Sequence, residues 1–325
     1  YCSLCFRIKI KNSKSRHVPF LCVFCVVFVL GVLGNGLVIA TFASRCEGLR
    51  SMTDVFLLHL ALADLLLLLT LPLQAVDTQL GWILPVSLCK ATRACYAVNT
   101  YSGLLLLACI SVDRYLMVAR AQLRQWLRRW TFKAATLVAL AVWASALTLS
   151  LPEILFSGVS GSGSKAYCGV LNSPEAKMAT RVAIIAVFCL SFLVMLSSYS
   201  LIAMVLWGGQ AQRRGKAWQR QRTLKLMLAL VLLFLAFQLP YTLVLLRKLA
   251  GEFCGLLLEY VTCTLVSTRC CLNPILYALV GVRFRNDVLR LMHRAGCGCG
   301  GQARPQLSRS ASPSSPAPTM LSFGT

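Results

Sequence analysis

The chain has 325 residues, of which 58 % are hydrophobic and only 13 % charged, and its formal net charge is +23. That balance is too apolar for an ordinary soluble domain, and the apolar residues fall in long runs rather than at core-facing periods. A charge of this size invites a nucleic-acid reading, but the basic residues flank the apolar runs, where acidic inner-leaflet lipids attract them, so no nucleic-acid partner is expected.

A bilayer core takes about 20 apolar residues per helix. Seven such runs are present, roughly 19–43, 53–76, 86–112, 134–156, 179–207, 224–246 and 256–280. They are too long and continuous for barrel strands. The fold class expected is an all-α membrane protein, a seven-helix transmembrane bundle over 19–280. An extracellular segment (1–18) precedes it. A short amphipathic juxtamembrane helix (281–295) and a disordered cytoplasmic tail (296–325) follow it.

Ahead of the first run, "FRIKIKNSKSRH" (6–17) is basic and by itself argues for a cytosolic N-terminus. With Tyr1 in place of Met, it points to a truncated or wrongly predicted start. The first run is too long for the apolar region of a secretory signal and lacks a clear cleavage site. The later links settle the orientation. Arg45 and Arg50, Arg120 to Lys133, Arg213 to Lys225 and the tail arginines all fall on one side. Opposite them stand chiefly Lys165, Lys177, Arg247 and Lys248. Basic residues stay cytosolic, so the N-terminus is placed outside and the C-terminus inside, in a multi-pass plasma-membrane protein.

Several polar residues interrupt the runs: Asn35 in the first, Asp64 in the second, and Asn273 in the last. Each must find a partner in hydrocarbon. Pro72, Pro152, Pro240 and Pro274 kink their helices and free backbone carbonyls. The third run ends in "CISVDRYLMVAR", which sets Asp113, Arg114 and Tyr115 at a membrane boundary where ionisable groups mark function. Of 16 cysteines, Cys89 and Cys168 both face the oxidising side and form a candidate disulfide. Cys254 has Cys5 or Cys2 as a possible partner. Cys297 and Cys299 in "GCGCGG" fit palmitoylation better than zinc.

These motifs carry a resemblance. "GN" in the first span, "LALAD" in the second, "DRY" ending the third, Trp143 in the fourth, "LPY" in the sixth and "NPILY" in the seventh stand in the order found in rhodopsin-like G-protein-coupled receptors. They cover residues 31 to 294. "TLP", "GW", "DRYLMVARA" and "CLNPILYALVGVRFRND" resemble chemokine receptors in particular. "LACISVDRY", "FQLPY" and "RCCLNP" are similar to one member of the CC class most of all.

The resemblance implies a switch. Arg114 pairs with Asp113 at a wet cytosolic edge, worth about 1 kcal/mol, and leaves it for a G-protein helix when the sixth span swings outward. Arg220 stands where many relatives hold a second acidic partner, so that lock is expected to be absent. Tyr199, Tyr277, Asn273 and Pro274 belong to the same switch, and Asn35, Asp64, Asn99 and Arg269 to a polar core. Relatives often hold sodium beside the second-span aspartate. Here Gly103 replaces the expected serine, and Arg269, one turn before Asn273, is expected to counter Asp64 instead. A basic chemokine would meet Trp82, Tyr96, Tyr241 and Glu259. The other outer acids are Asp77, Glu153, Glu175 and Glu252. Further partners implied are a heterotrimeric G protein of the inhibitory class, receptor kinases and arrestin. Ser308, Ser310, Ser312, Ser314 and Ser315 in the Pro-rich tail are candidate phosphorylation sites.

The chain departs from the pattern in places. Ser191 replaces a fifth-span proline, Gln238 a sixth-span tryptophan, Gln74 another tryptophan, and Cys263 a last-span acid. The missing proline keeps a non-signalling chemokine scavenger open as the alternative, as is a receptor for another peptide. A retinal protein is excluded because 256–280 holds no lysine for a Schiff base. No internal repeats suggest a transporter. His17, His59 and His293 are far apart, so neither an enzyme nor a metal site is expected, and no cofactor.

Overall fold

The computed structural model describes residues 17–44, 51–119, 131–161, 163, 166–171, 173–207, 217–251, 256–280 and 282–294. Cys2, Cys5, Cys254, Cys297, Cys299 and the tail serines lie outside the described residues, as do Glu252 and the basic N-terminal segment up to Arg16. Of Glu259 only the helical backbone is described.

The helices are α1 (His17–Ala43), α2 (Met52–Leu68), α3 (Leu71–Leu80), α4 (Val86–Ala119), α5 (Thr131–Phe156), α6 (Pro174–Trp207), α7 (Ala217–Leu249), α8 (Leu256–Val280) and α9 (Val282–Arg294). Six stretches are long and apolar enough to cross a membrane, with α2 and α3 counted together as Met52–Leu80. A seventh is counted only when Val261–Leu279 of α8 and Phe284–His293 of α9, bent by 86° from each other, are taken together. Each run expected from the sequence therefore has its helix.

Local chemistry sets several boundaries. Ser51 caps α2, its side chain accepting from the Asp54 backbone N–H at 3.2 Å, which satisfies one of the orphan donors of the first turn. Pro72 lacks an N–H, and the second span divides just before it, at Leu69 and Thr70, into α2 and α3. Gly81 closes α3 at φ 88°, a backbone angle that side chains avoid. Beyond it, α4 starts beneath a two-stranded hairpin of β1 (Ser157–Ser160) and β2 (Tyr167–Val170), paired antiparallel with Val159 opposite Cys168.

The helix α4 is the spine of the bundle. Its apolar window is 72 % buried, against 28 % for α1 and for α5, which face outward. Leu33 and Leu137 stand exposed on those outer faces, and Leu279 on that of α8, where lipid tails would cover them. Around α4, an inner core gathers Phe56, Leu60, Leu107, Ile110, Leu230 and Phe234. An outer core gathers Ala97, Val98, Tyr101, Ile184, Tyr241 and Val266. The contact between α1 and α8 is close because of Gly34, where a Cβ would fall 2.9 Å from that of Pro274.

Candidate functional site

Three polar levels lie along α4. At the inner level, Arg114 Nη2 is 2.6 Å from Asp113 Oδ2. The Thr53 hydroxyl of α2 joins them, donating to Asp113 Oδ2 and accepting from Arg114 Nη2. Asp113 and Arg114 are each only 7 % exposed. This corrects the sequence reading of a wet interface: the first turn of α2 brings Thr53 against the pair, which is buried. Burial raises what is at stake, because removing one partner strands the other charge. Tyr115 is half-buried beside them. The Tyr199 and Tyr277 hydroxyls are buried in the same half of the bundle, without a described residue placed in full hydrogen-bonding geometry to either.

At the middle level the Asp64 carboxylate is fully buried. Its Oδ1 accepts from Asn99 Nδ2 at 3.0 Å and its Oδ2 from Asn273 Nδ2 at 2.7 Å. Arg269 Nη2 stands 3.9 Å from Asp64 Oδ1 and donates to Asn99 Oδ1 at 2.8 Å. The guanidinium lies over the Phe234 ring of α7, 4.4 Å from its centre. The structure thus joins Asp64, Asn99, Asn273 and Arg269 across α2, α4 and α8. A sodium ion does not fit this donor set. Both carboxylate oxygens already accept amide N–H groups, and a tethered cation fills the space beside them. Gly103 makes the room: a Cβ there would approach Arg269 Nη1 and Phe234 Cε2 to 3.3 Å.

Asn35 completes this level. Pro274 cannot donate to the carbonyl one turn earlier, that of Cys270. Asn35 Nδ2 donates to that oxygen at 2.9 Å, and to Gly31 O at the same distance. The freed carbonyl in α8 is therefore satisfied by α1, as a low-dielectric interior requires.

At the outer level Cys89 and Cys168 form a disulfide, with Cα atoms 5.6 Å apart, tying β2 to the first turns of α4. Tyr96 and Tyr241 meet edge to face at 6.1 Å between ring centres, and the Tyr96 hydroxyl lies 3.9 Å from Cys263 Sγ. Trp82 is set apart from them, in the link between α3 and α4, where its backbone N–H donates to Ala166 O at 3.0 Å. Glu153, counted among the outer acids, is already engaged. It is buried and takes both Arg93 Nε at 2.8 Å and Arg93 Nη2 at 2.9 Å.

The sequence reading missed Thr53, Arg93 and Phe234. Arg93 had a signal, a cation inside one apolar run and an acid inside the next; Thr53 and Phe234 had none. His59, read from the sequence as a packed or lipid-facing residue, is half-buried against Trp143, and its Nδ1 accepts the Trp143 indole N–H at 3.1 Å.

Residues 34–277 match the family described as 7 transmembrane receptor (rhodopsin family). C-C chemokine receptor type 7 of Bos taurus is 36 % identical over 312 residues, 91 % of this chain and 80 % of that receptor. C-X-C chemokine receptor type 3 of Homo sapiens is 39 % identical over 314 residues, 92 % of this chain and 82 % of that receptor. The CC-class member that the motifs suggest, C-C chemokine receptor type 10, matches in its Mus musculus form at 38 % over 311 residues, 90 % and 83 % of the two chains. The motifs therefore do not single out one subtype.

Proposed function

Because the chain belongs to the rhodopsin family of seven-transmembrane receptors, and within it to the chemokine receptors, we propose that it binds a chemokine at its outer face and passes that event to a heterotrimeric G protein of the inhibitory class, directing cell migration. Its family is one of receptors, not enzymes. It lies in the plasma membrane with the N-terminus outside and the C-terminus in the cytoplasm, as the basic residues of its links favour.

The observation that carries this reading is the buried cluster of Thr53, Asp113 and Arg114. It is a charge pair joined by a hydroxyl from a neighbouring helix, a contact that rearrangement of the bundle can open. When the inner half of α7 swings outward, Arg114 leaves Asp113 and meets the G protein. Asn273 and Pro274 flex α8, and Tyr199 and Tyr277 turn in to hold the open state. At the outer end, Trp82, Tyr96, Tyr241 and Glu259 receive the chemokine. A second bridge from Cys254 to Cys5, or to Cys2, belongs to the same proposal. Inside, 281–295 lies along the bilayer with Cys297 and Cys299 palmitoylated. Phosphorylation of Ser308, Ser310, Ser312, Ser314 and Ser315 by receptor kinases recruits arrestin to the tail.

The test is inhibition of cyclic-AMP production in cells expressing the chain, screened against a chemokine panel with Arg114→Ala alongside. A response that disappears in Arg114→Ala supports coupling. Chemokine uptake with no signal supports the scavenger, the alternative that Ser191 in place of the fifth-span proline keeps in play.

A further inference from the structure

One ion pair in the bundle has no part in the switch or the polar core. Arg93 sits one turn below Cys89 on α4, and Glu153 stands opposite it on α5. The pairing is side-on: Glu153 takes the Nε and Nη2 edge of the guanidinium. Arginine presents its N–H groups as a planar fork that can grip two carboxylates at once. Here the end-on edge, Nη1 with the second N–H of Nη2, is not taken by any described residue.

The two partners are also unequally accessible. The Glu153 side chain is 7 % exposed and that of Arg93 36 %. An incoming group therefore meets the cation, while the acid stays beneath. One turn further in, the same face of α4 meets Tyr241 of α7 and Cys263 of α8 through Tyr96, so the guanidinium lies on the side of the bundle's mouth rather than of lipid. Tyr96, three residues on and on the same face of α4, sets an aromatic wall below it.

We propose that Arg93 is an anion-binding subsite, which takes a carboxylate of the ligand's inserted segment through its end-on edge, with Tyr96 and Tyr241 packing against the carbon chain behind that carboxylate. Glu153 orients the fork and competes for its charge. Only the source of the carboxylate rests on the chemokine-receptor reading; the subsite itself does not.

The experiment uses the full chain in phospholipid nanodiscs and reads the thermal unfolding midpoint. The probe is phenylacetate, with phenylacetamide as its neutral isostere. Phenylacetate raises the midpoint with half-effect at millimolar concentration, and phenylacetamide does not. Arg93→Gln abolishes the shift. Glu153→Gln, which removes the competing acid, lowers the half-effect concentration about tenfold. If Arg93→Gln does not fold because Glu153 is stranded, the neutral pair Arg93→Gln with Glu153→Gln serves in its place and shows no shift. No shift in the parent chain, equal shifts with acid and amide, or a shift that survives loss of Arg93 overturns the subsite. The reading needs neither chemokine nor G protein, so a silent chemokine panel leaves it standing, and its failure leaves the receptor reading standing.

Discussion

A guanidinium with no exposed surface is held only by what surrounds it, and Arg269 is held on two sides. Asn99 and Asp64 take its Nη2, and Phe234 takes its face. The pair is weak evidence for net stability, but breaking it leaves Asp64 buried and uncompensated, at about 3–5 kcal/mol. Arg269→Ala is therefore expected to cripple folding, read as loss of surface expression and a lower unfolding midpoint; near-normal surface level and signalling would sink the idea. Gly103→Val tests the same site by volume. Its side chain would press on Arg269 and Phe234, both rigidly packed, at about 1–3 kcal/mol, whereas Gly103→Ala asks its neighbours to give only a few tenths of an ångström. A valine variant as stable as the alanine one would show that the guanidinium has room to move. This level was legible in the sequence because the resemblance to rhodopsin-like receptors sets Asn273 near the depth of Asp64, and Arg269 lies one helical turn from Asn273. Arg93 and Glu153 were not paired from the sequence, since they sit in separate helices and no spacing rule relates them.

At the scale of elements, the spans were legible because bilayer thickness sets a length that apolar runs must meet, and composition shows it directly. The finer joints depended on single residues. Pro72 announced the break between α2 and α3, and Ser191 removed the reason for a break in α6, which runs unbroken from Pro174 to Trp207. The seam between α2 and α5 was invisible, because a lone histidine in an apolar run has no period to betray its partner. His59 there accepts the only N–H that the Trp143 side chain offers. His59→Asn keeps an acceptor at that place, and His59→Leu removes it and leaves a half-buried indole N–H unmet. The leucine variant is expected to lose about 1–3 kcal/mol relative to the asparagine one, seen as a lower unfolding midpoint in nanodiscs. Equal midpoints would show that the indole finds water or lipid instead and that packing alone holds the seam.

At the scale of the whole molecule, α4 threads the three polar levels, which tie it to α5 above, to α2 and α8 in the middle, and to α2 again below. A bundle tied this way favours one packing, and an agonist changes it only by what it contributes differently to the two states. The inner tie is the one on which the switch depends, and Thr53 is its weakest member, a neutral hydroxyl between two charges. Thr53→Val keeps the shape of the side chain and removes the donor to Asp113 and the acceptor for Arg114. Losing hydrogen bonds to charged groups costs the closed state about 1.5–3 kcal/mol. A shift of 1.4 kcal/mol is tenfold in the balance of states, so agonist-free inhibition of cyclic-AMP production is expected to rise severalfold at matched surface expression. Adding Arg114→Ala is expected to abolish that rise, because the open state then has no arginine to present to the G protein. If Thr53→Val instead leaves basal signalling unchanged while still reaching the surface, the hydroxyl does not hold the closed state.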